Sequence, residues 1–102
     1  MSKTEDERNS AAKVLDLVEA LSGCVVNGAS NGALAKGLEL SPSTVTVLMK
    51  TVIGKGWARK DEATGHFHPT PRMARIYGRV LADIENSENR IAELKHNFTR
   101  NA

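Results

Sequence analysis

Thiols, aromatics and long apolar runs are all scarce in this chain, and each scarcity excludes something. Cys24 is its one cysteine, so no internal disulfide can form and no zinc site can be anchored on thiolates alone. Trp57, Phe67, Tyr77 and Phe98 are all the aromatic residues among 102, so the core of a single modest domain must be aliphatic. No apolar run approaches the length of a membrane span, and the opening MSKTEDERNS lacks the features of a signal peptide. Catalytic patterns are missing as well. There is no Cys-His pair at a suggestive spacing and no glycine-rich phosphate loop. Asp61 and Glu62 are adjacent in a predicted turn, where they solvate and share no proton. His66 and His68 supply two ligands on one strand face with no third in reach, too few for a metal site. The composition therefore predicts a non-enzyme with no cofactor and no metal.

Charge is present but unevenly placed. From Lys36 to Arg79 there are eight basic residues against three acids, a balance of +5; the remainder carries six against nine, a balance of −3. A basic middle between acidic ends is the footprint expected of a face that binds duplex nucleic acid.

The stretch from Ser30 to Val52 organises the rest. Leu34, Ala35 and Leu38 put an apolar stripe on a short helix whose N-cap is Ser30. A turn through Glu39 and Leu40 follows. Ser41-Pro42 then supplies a capping hydroxyl and a proline at the first helical position of a second helix, about 42–53. Val45, Leu48, Met49 and Val52 point inward together, leaving Ser43, Thr44, Thr46, Val47 and Lys50 on a small, polar outer face. Two such helices across a tight turn make a helix-turn-helix. Residues 57–61 and 66–68 alternate as strands around Ala63-Thr64-Gly65, predicting a hairpin, and a hairpin in this position is a wing. The fold class expected is mainly α with a small β-hairpin: a winged helix-turn-helix plus a long C-terminal helix.

On these residues the chain resembles the N-terminal DNA-binding domain of IclR-type transcriptional regulators, from about Ser10 to Thr70. The matching pieces are AAKVLDLVEAL and NGALAKGLELSPSTVTVLMKTVIGKGWARKDEATGHF. Ser43-Thr44-Val45 stands where the family opens its recognition helix, and Gly56-Trp57 where it opens the wing. Thr46 and Val47 replace the bulkier polar or basic residues usual there. The family's large effector-binding domain has no counterpart, so no small-molecule effector is expected. The resemblance implies a DNA-binding regulator of bacterial or phage origin, cytoplasmic and nucleoid-associated.

Residues 1–9 read as a charged, aperiodic, disordered lead. In the first helix Val14, Leu17, Val18 and Leu21 trace one core-facing side; Cys24, Val25 and Val26 then suggest a very short strand against the wing, with Cys24 a small buried hydrophobe. Gly32 and Gly37 within the next helix suggest close packing, or in the case of Gly32 a backbone approach to phosphate. The winged domain spans 10–70.

Thr70-Pro71 starts a last helix that can run to about Phe98, within a C-terminal dimerisation segment 71–102. Met73, Tyr77, Val80, Ile84, Ser87, Ile91, Leu94 and Phe98 form a heptad seam over roughly 38 Å. Ile76 and Leu81 widen the seam near its start, predicting that the first turns pack on the winged domain. A lone helix folded back on its own body is one arrangement. A homodimeric coiled coil or an antiparallel helix pair through Tyr77, Val80, Ile84, Ile91, Leu94 and Phe98 is the other, and the length of the seam favours it.

The residues expected to meet double-stranded DNA are Ser43, Thr44, Thr46, Val47 and Lys50 on the recognition helix and Lys55 at its end. Arg59, Lys60, His66 and His68 join them from the wing (57–68), and Arg72 from the last helix. The function expected is a homodimeric transcriptional regulator reading half-sites about one duplex turn apart. A low-specificity architectural DNA-binding protein and a winged-helix protein–protein adaptor are the alternatives.

Overall fold

Local signals start every helix. The computed structural model describes residues 8–100, and within them four helices and one antiparallel hairpin. Helix α1 (Ser10–Leu21) begins where Asn9 accepts a hydrogen bond from the Ala12 N–H, and α2 (Asn31–Leu38) where Ser30 accepts from Ala33 N–H. Helix α3 (Pro42–Gly54) is capped by Ser41 and α4 (Pro71–Thr99) by Thr70, each with proline in its first turn. All four caps satisfy amides that the helices leave orphaned.

The turn between α2 and α3 is a Schellman motif. Leu40 N–H donates to Ala35 O at 2.9 Å and Glu39 N–H to Lys36 O at 3.4 Å, with Glu39 in the left-handed region at φ 56° where glycine is usual. Leu40 then turns into the core.

The core is aliphatic as composition demands. Leu17, Leu21, Val45, Met49 and Val52 are fully buried, joined by Leu34, Ala35, Leu40, Ala58 and Phe67. Burying each large side chain of this kind contributes about 1.5–3 kcal/mol. The hairpin of β1 (Ala58–Lys60) and β2 (Phe67–Pro69) closes one side, in the register Ala58↔Pro69, Arg59↔His68, Lys60↔Phe67. Gly65 turns the chain at φ 76°. Asp61 braces that turn: its Oδ1 accepts from Ala63 N–H at 2.9 Å, and this bond above all holds its carboxyl below the ordinary value. The stabilisation is present above the unfolded carboxyl's titration and is lost as pH falls through the lower folded value.

Four expectations change. Residues 24–26 form no strand. The wing's third partner is Ala29, which exchanges both backbone hydrogen bonds with Phe67 at 2.8 and 2.9 Å. Residues 25–27 are a turn, because Gly28 at φ 71° reverses the chain just before that bridge. Gly32 and Gly37 are not packing glycines, since a Cβ at either would meet nothing within 4 Å. Of the lead, residues 1–7 lie outside the described residues, but Arg8 and Asn9 carry specific contacts. Arg8 pairs with Asp16 at 3.1 Å and donates to Leu38 O and Glu39 O, putting positive charge at the C-terminus of α2. Finally, Ile76 and Leu81 do not pack on the domain; both are 40% exposed, and Met73 is the α4 residue that packs against the core.

The last of these governs the shape. Past its first turn α4 runs away from the body, so the molecule measures 70 × 35 × 20 Å with a radius of gyration of 20.1 Å. A compact chain of this length would have about 13 Å.

Candidate nucleic-acid interface

Helix arithmetic divides the surface of α3. At about 100° per residue, Ser43, Thr46, Val47 and Lys50 share one outward face, and Ser43, Thr46, Val47 and Lys50 are all exposed. Thr44 and Lys55 fall about 120–140° round from Lys50. Thr44 is half-buried. Lys55 lines a different groove, of about 200 Å³, with Leu15 of α1 and Trp57.

The hairpin divides in the same way, because successive strand residues face opposite sides. Lys60 and its partner Phe67 face α3. With Asn31, Thr46, Met49, Lys50, Ile53 and Gly65 they line a groove of about 230 Å³ whose floor is apolar and whose rim carries two lysines and no acid. Arg59 and its partner His68 face the other way. Arg59 lines a groove of about 650 Å³ with Val25, Met73 and the start of α4. His68 is 6% exposed, with Nδ1 3.1 Å from Val25 O, and its ring lies against Gly28 so closely that a Cβ there would sit 2.6 Å from Nε2. It is therefore removed from the DNA-facing candidates: its ring braces the turn at 25–28. His66 does similar work, Nδ1 lying 3.0 Å from Asn27 O. Arg72 stacks on Trp57, its guanidinium carbon 5.4 Å from the ring centroid, away from the face of α3.

The structure thus brings together Ser43, Thr46, Val47, Lys50 and Lys60. It separates Lys55, Arg59 and Arg72 from them.

The hydroxyls in the first turns of α3 already have local partners. Thr46 Oγ1 donates to Pro42 O at 3.0 Å, Thr44 Oγ1 lies 2.7 Å from Ser41 Oγ, and Ser43 Oγ lies 3.2 Å from the same atom. Sequence reasoning missed one member of the site, Asn31. Its Nδ2 donates to Thr46 Oγ1 at 2.9 Å and Pro42 O at 3.2 Å, bracing the first turn of α2 against the first turn of α3. A lone polar residue just inside a capped helix carries no signal that it crosses to the next one.

A short helix pair across a tight turn, a second helix with a small outer face, and a hairpin whose lysine shares a groove with it define the class of winged helix-turn-helix DNA-binding proteins. The model of the IclR helix-turn-helix domain matches residues 10–62, from α1 into the wing, and the chain belongs to that family. It carries a DNA-binding domain of transcription regulators, which is not an enzyme family. Comparison with curated proteins and with solved structures finds no match. No helix among the described residues is long and apolar enough to cross a membrane.

Proposed function

We propose that the chain regulates transcription as a homodimer, with α3 entering the major groove of duplex DNA and Lys50 and Lys60 gripping the phosphates on either side of the groove that they share. The observation that carries this reading is that groove, with two cations from separate elements around an apolar floor and no acid among its lining residues. Ser43, Thr46 and Val47 would lie nearest the base edges, Val47 offering methyl contacts to thymine. Tyr77, Val80, Ile84, Ile91, Leu94 and Phe98 would pair two copies, which accounts for an apolar seam left uncovered along α4. Residues 10–70 then act as the DNA-binding unit and 71–102 as the pairing segment, and no small-molecule effector enters the scheme.

A low-specificity architectural role is the second reading, and one observation favours it. The hydroxyls of Ser43, Thr44 and Thr46 are engaged locally, and no Arg, Asn or Gln stands on the outer face of α3 to make a bidentate base contact of about 1–3 kcal/mol. Anisotropy with a pool of random duplexes at roughly 50 and 200 mM salt tests the binding: log affinity should fall against log salt by about 0.9 per phosphate contact. Sequencing the bound pool separates the readings, enrichment of a palindrome meaning a regulator and no enrichment an architectural protein. Absence of binding at both salts would overturn the DNA-binding reading in favour of a protein adaptor.

A further inference from the structure

The seam of α4 has a direction written into its charges. In heptad terms Tyr77, Ile84 and Ile91 occupy a positions, with Val80, Ser87 and Leu94 at d. The flanking positions that meet across a helix pair are then Asp83 and Arg90 at g and Glu88 and Lys95 at e. All of these lie on an exposed helix that touches its own body only at its first turn.

Resting on the homodimer reading, we infer that α4 pairs with a second copy antiparallel and in full overlap, with residue numbers that face one another summing to about 171. Three features support it over the parallel alternative. In a parallel pair each g residue faces the e residue five positions on in the partner. Asp83 would then meet the partner's Glu88, and Arg90 the partner's Lys95: two like-charge contacts, each occurring twice by symmetry. In the antiparallel pair g faces g, and Asp83 meets the partner's Arg90 twice by symmetry.

The second feature is the gradient along the helix. Residues 71–82 carry three arginines and no acid, whereas 83–99 carry four acids against Arg90 and Lys95. In full overlap the +3 segment faces the partner's residues 89–99, where Arg90 and Lys95 against Glu93 leave +1, whereas parallel pairing sets +3 on +3. The third is volume. Parallel layers would stack Tyr77 on Tyr77, Phe98 on Phe98 and Ser87 on Ser87, alternately crowded and underfilled. Antiparallel layers set Tyr77 against the partner's Leu94, Phe98 against Met73 and Ile84 against Ser87, which keeps the packing even. Parallel pairing has one contact in its favour, Ile76 against the partner's Leu81, and it is outnumbered. The antiparallel arrangement holds the two DNA-binding bodies at opposite ends of a rod about 43 Å long, where parallel pairing would hold them side by side.

Light scattering of the full chain comes first, and a monomer at all concentrations would remove the homodimer reading and this inference with it. If the chain is a dimer, two measurements on it fix direction. A nitroxide at His96→Cys, in a Cys24→Ser background that keeps the parent mass, should report about 30–40 Å between copies by pulsed electron resonance. A distance of about 20 Å or less would mean parallel helices and would overturn the inference while leaving the dimer standing. Asp83→Arg should raise the dimer dissociation constant by roughly threefold to tenfold, and adding Arg90→Glu should restore it. Tighter association of the single variant would contradict the antiparallel register, because only a parallel pair sets residue 83 against Glu88.

Discussion

The body and the last helix use their apolar residues in opposite ways. In residues 8–70 most of the large aliphatic side chains close on one another, and Leu17 and Val45 are wholly buried. In α4 a similar set at equally regular spacing stays in water: Tyr77 is 64% exposed, Ile91 65% and Phe98 83%. Periodicity tells that a face must be covered, but not by what. The body covers its own because three short helices and a hairpin are joined by turns that fold them back. A helix of 29 residues leaves the body after one turn and has nothing of its own chain to lie on. Contiguous exposed apolar surface on that scale marks an interaction site.

Four variants would break or sharpen this contrast. The largest effect is expected from Ile84→Asp with Ile91→Asp, which should halve the mass seen by light scattering while the thermal unfolding of the body stays in place. Next, Leu17→Ala should cost the body about 2–5 kcal/mol by denaturant unfolding, since the cavity cannot collapse under α3. Gly28→Ala combines a strained φ with a clash on His68 and should cost about 1–3 kcal/mol. Its counterpart on α4, Gly78→Ala, meets nothing within 4 Å and should stabilise the helix by up to about 1 kcal/mol. If Gly78→Ala destabilised as much as Gly28→Ala, α4 would be packed and the contrast would fail.

What was legible in the sequence was what local chemistry decides. Ser41-Pro42 and Thr70-Pro71 announce their helices without reference to the rest of the chain, and Gly65 announces the wing turn. The spacing of Val45, Met49 and Val52 fixed the inner face of α3, and the match of residues 10–62 to the IclR helix-turn-helix domain accords with the resemblance read there. Tertiary facts were not legible. That Lys60 and not Arg59 joins Lys50 depends on which face of the hairpin Phe67 buries. The burial of His68 depends on a turn held by Gly28, and the brace from Asn31 to Thr46 depends on the angle between α2 and α3. The position of Lys55 was within reach, since five residues after Lys50 is nearly the far side of a helix.

Charge reversal on duplex binding tests the central claim most directly, that one groove between α3 and the wing grips DNA. Lys50→Glu, Lys60→Glu, Lys55→Glu and Arg59→Glu would be compared by anisotropy at one low salt concentration and their slopes taken against salt. Large losses are expected for Lys50 and Lys60, each lowering the salt slope by about one phosphate contact or more, and small losses for Lys55 and Arg59. Equal losses in all four variants, or larger ones at Lys55 and Arg59, would contradict the claim and move the DNA to another face of the molecule.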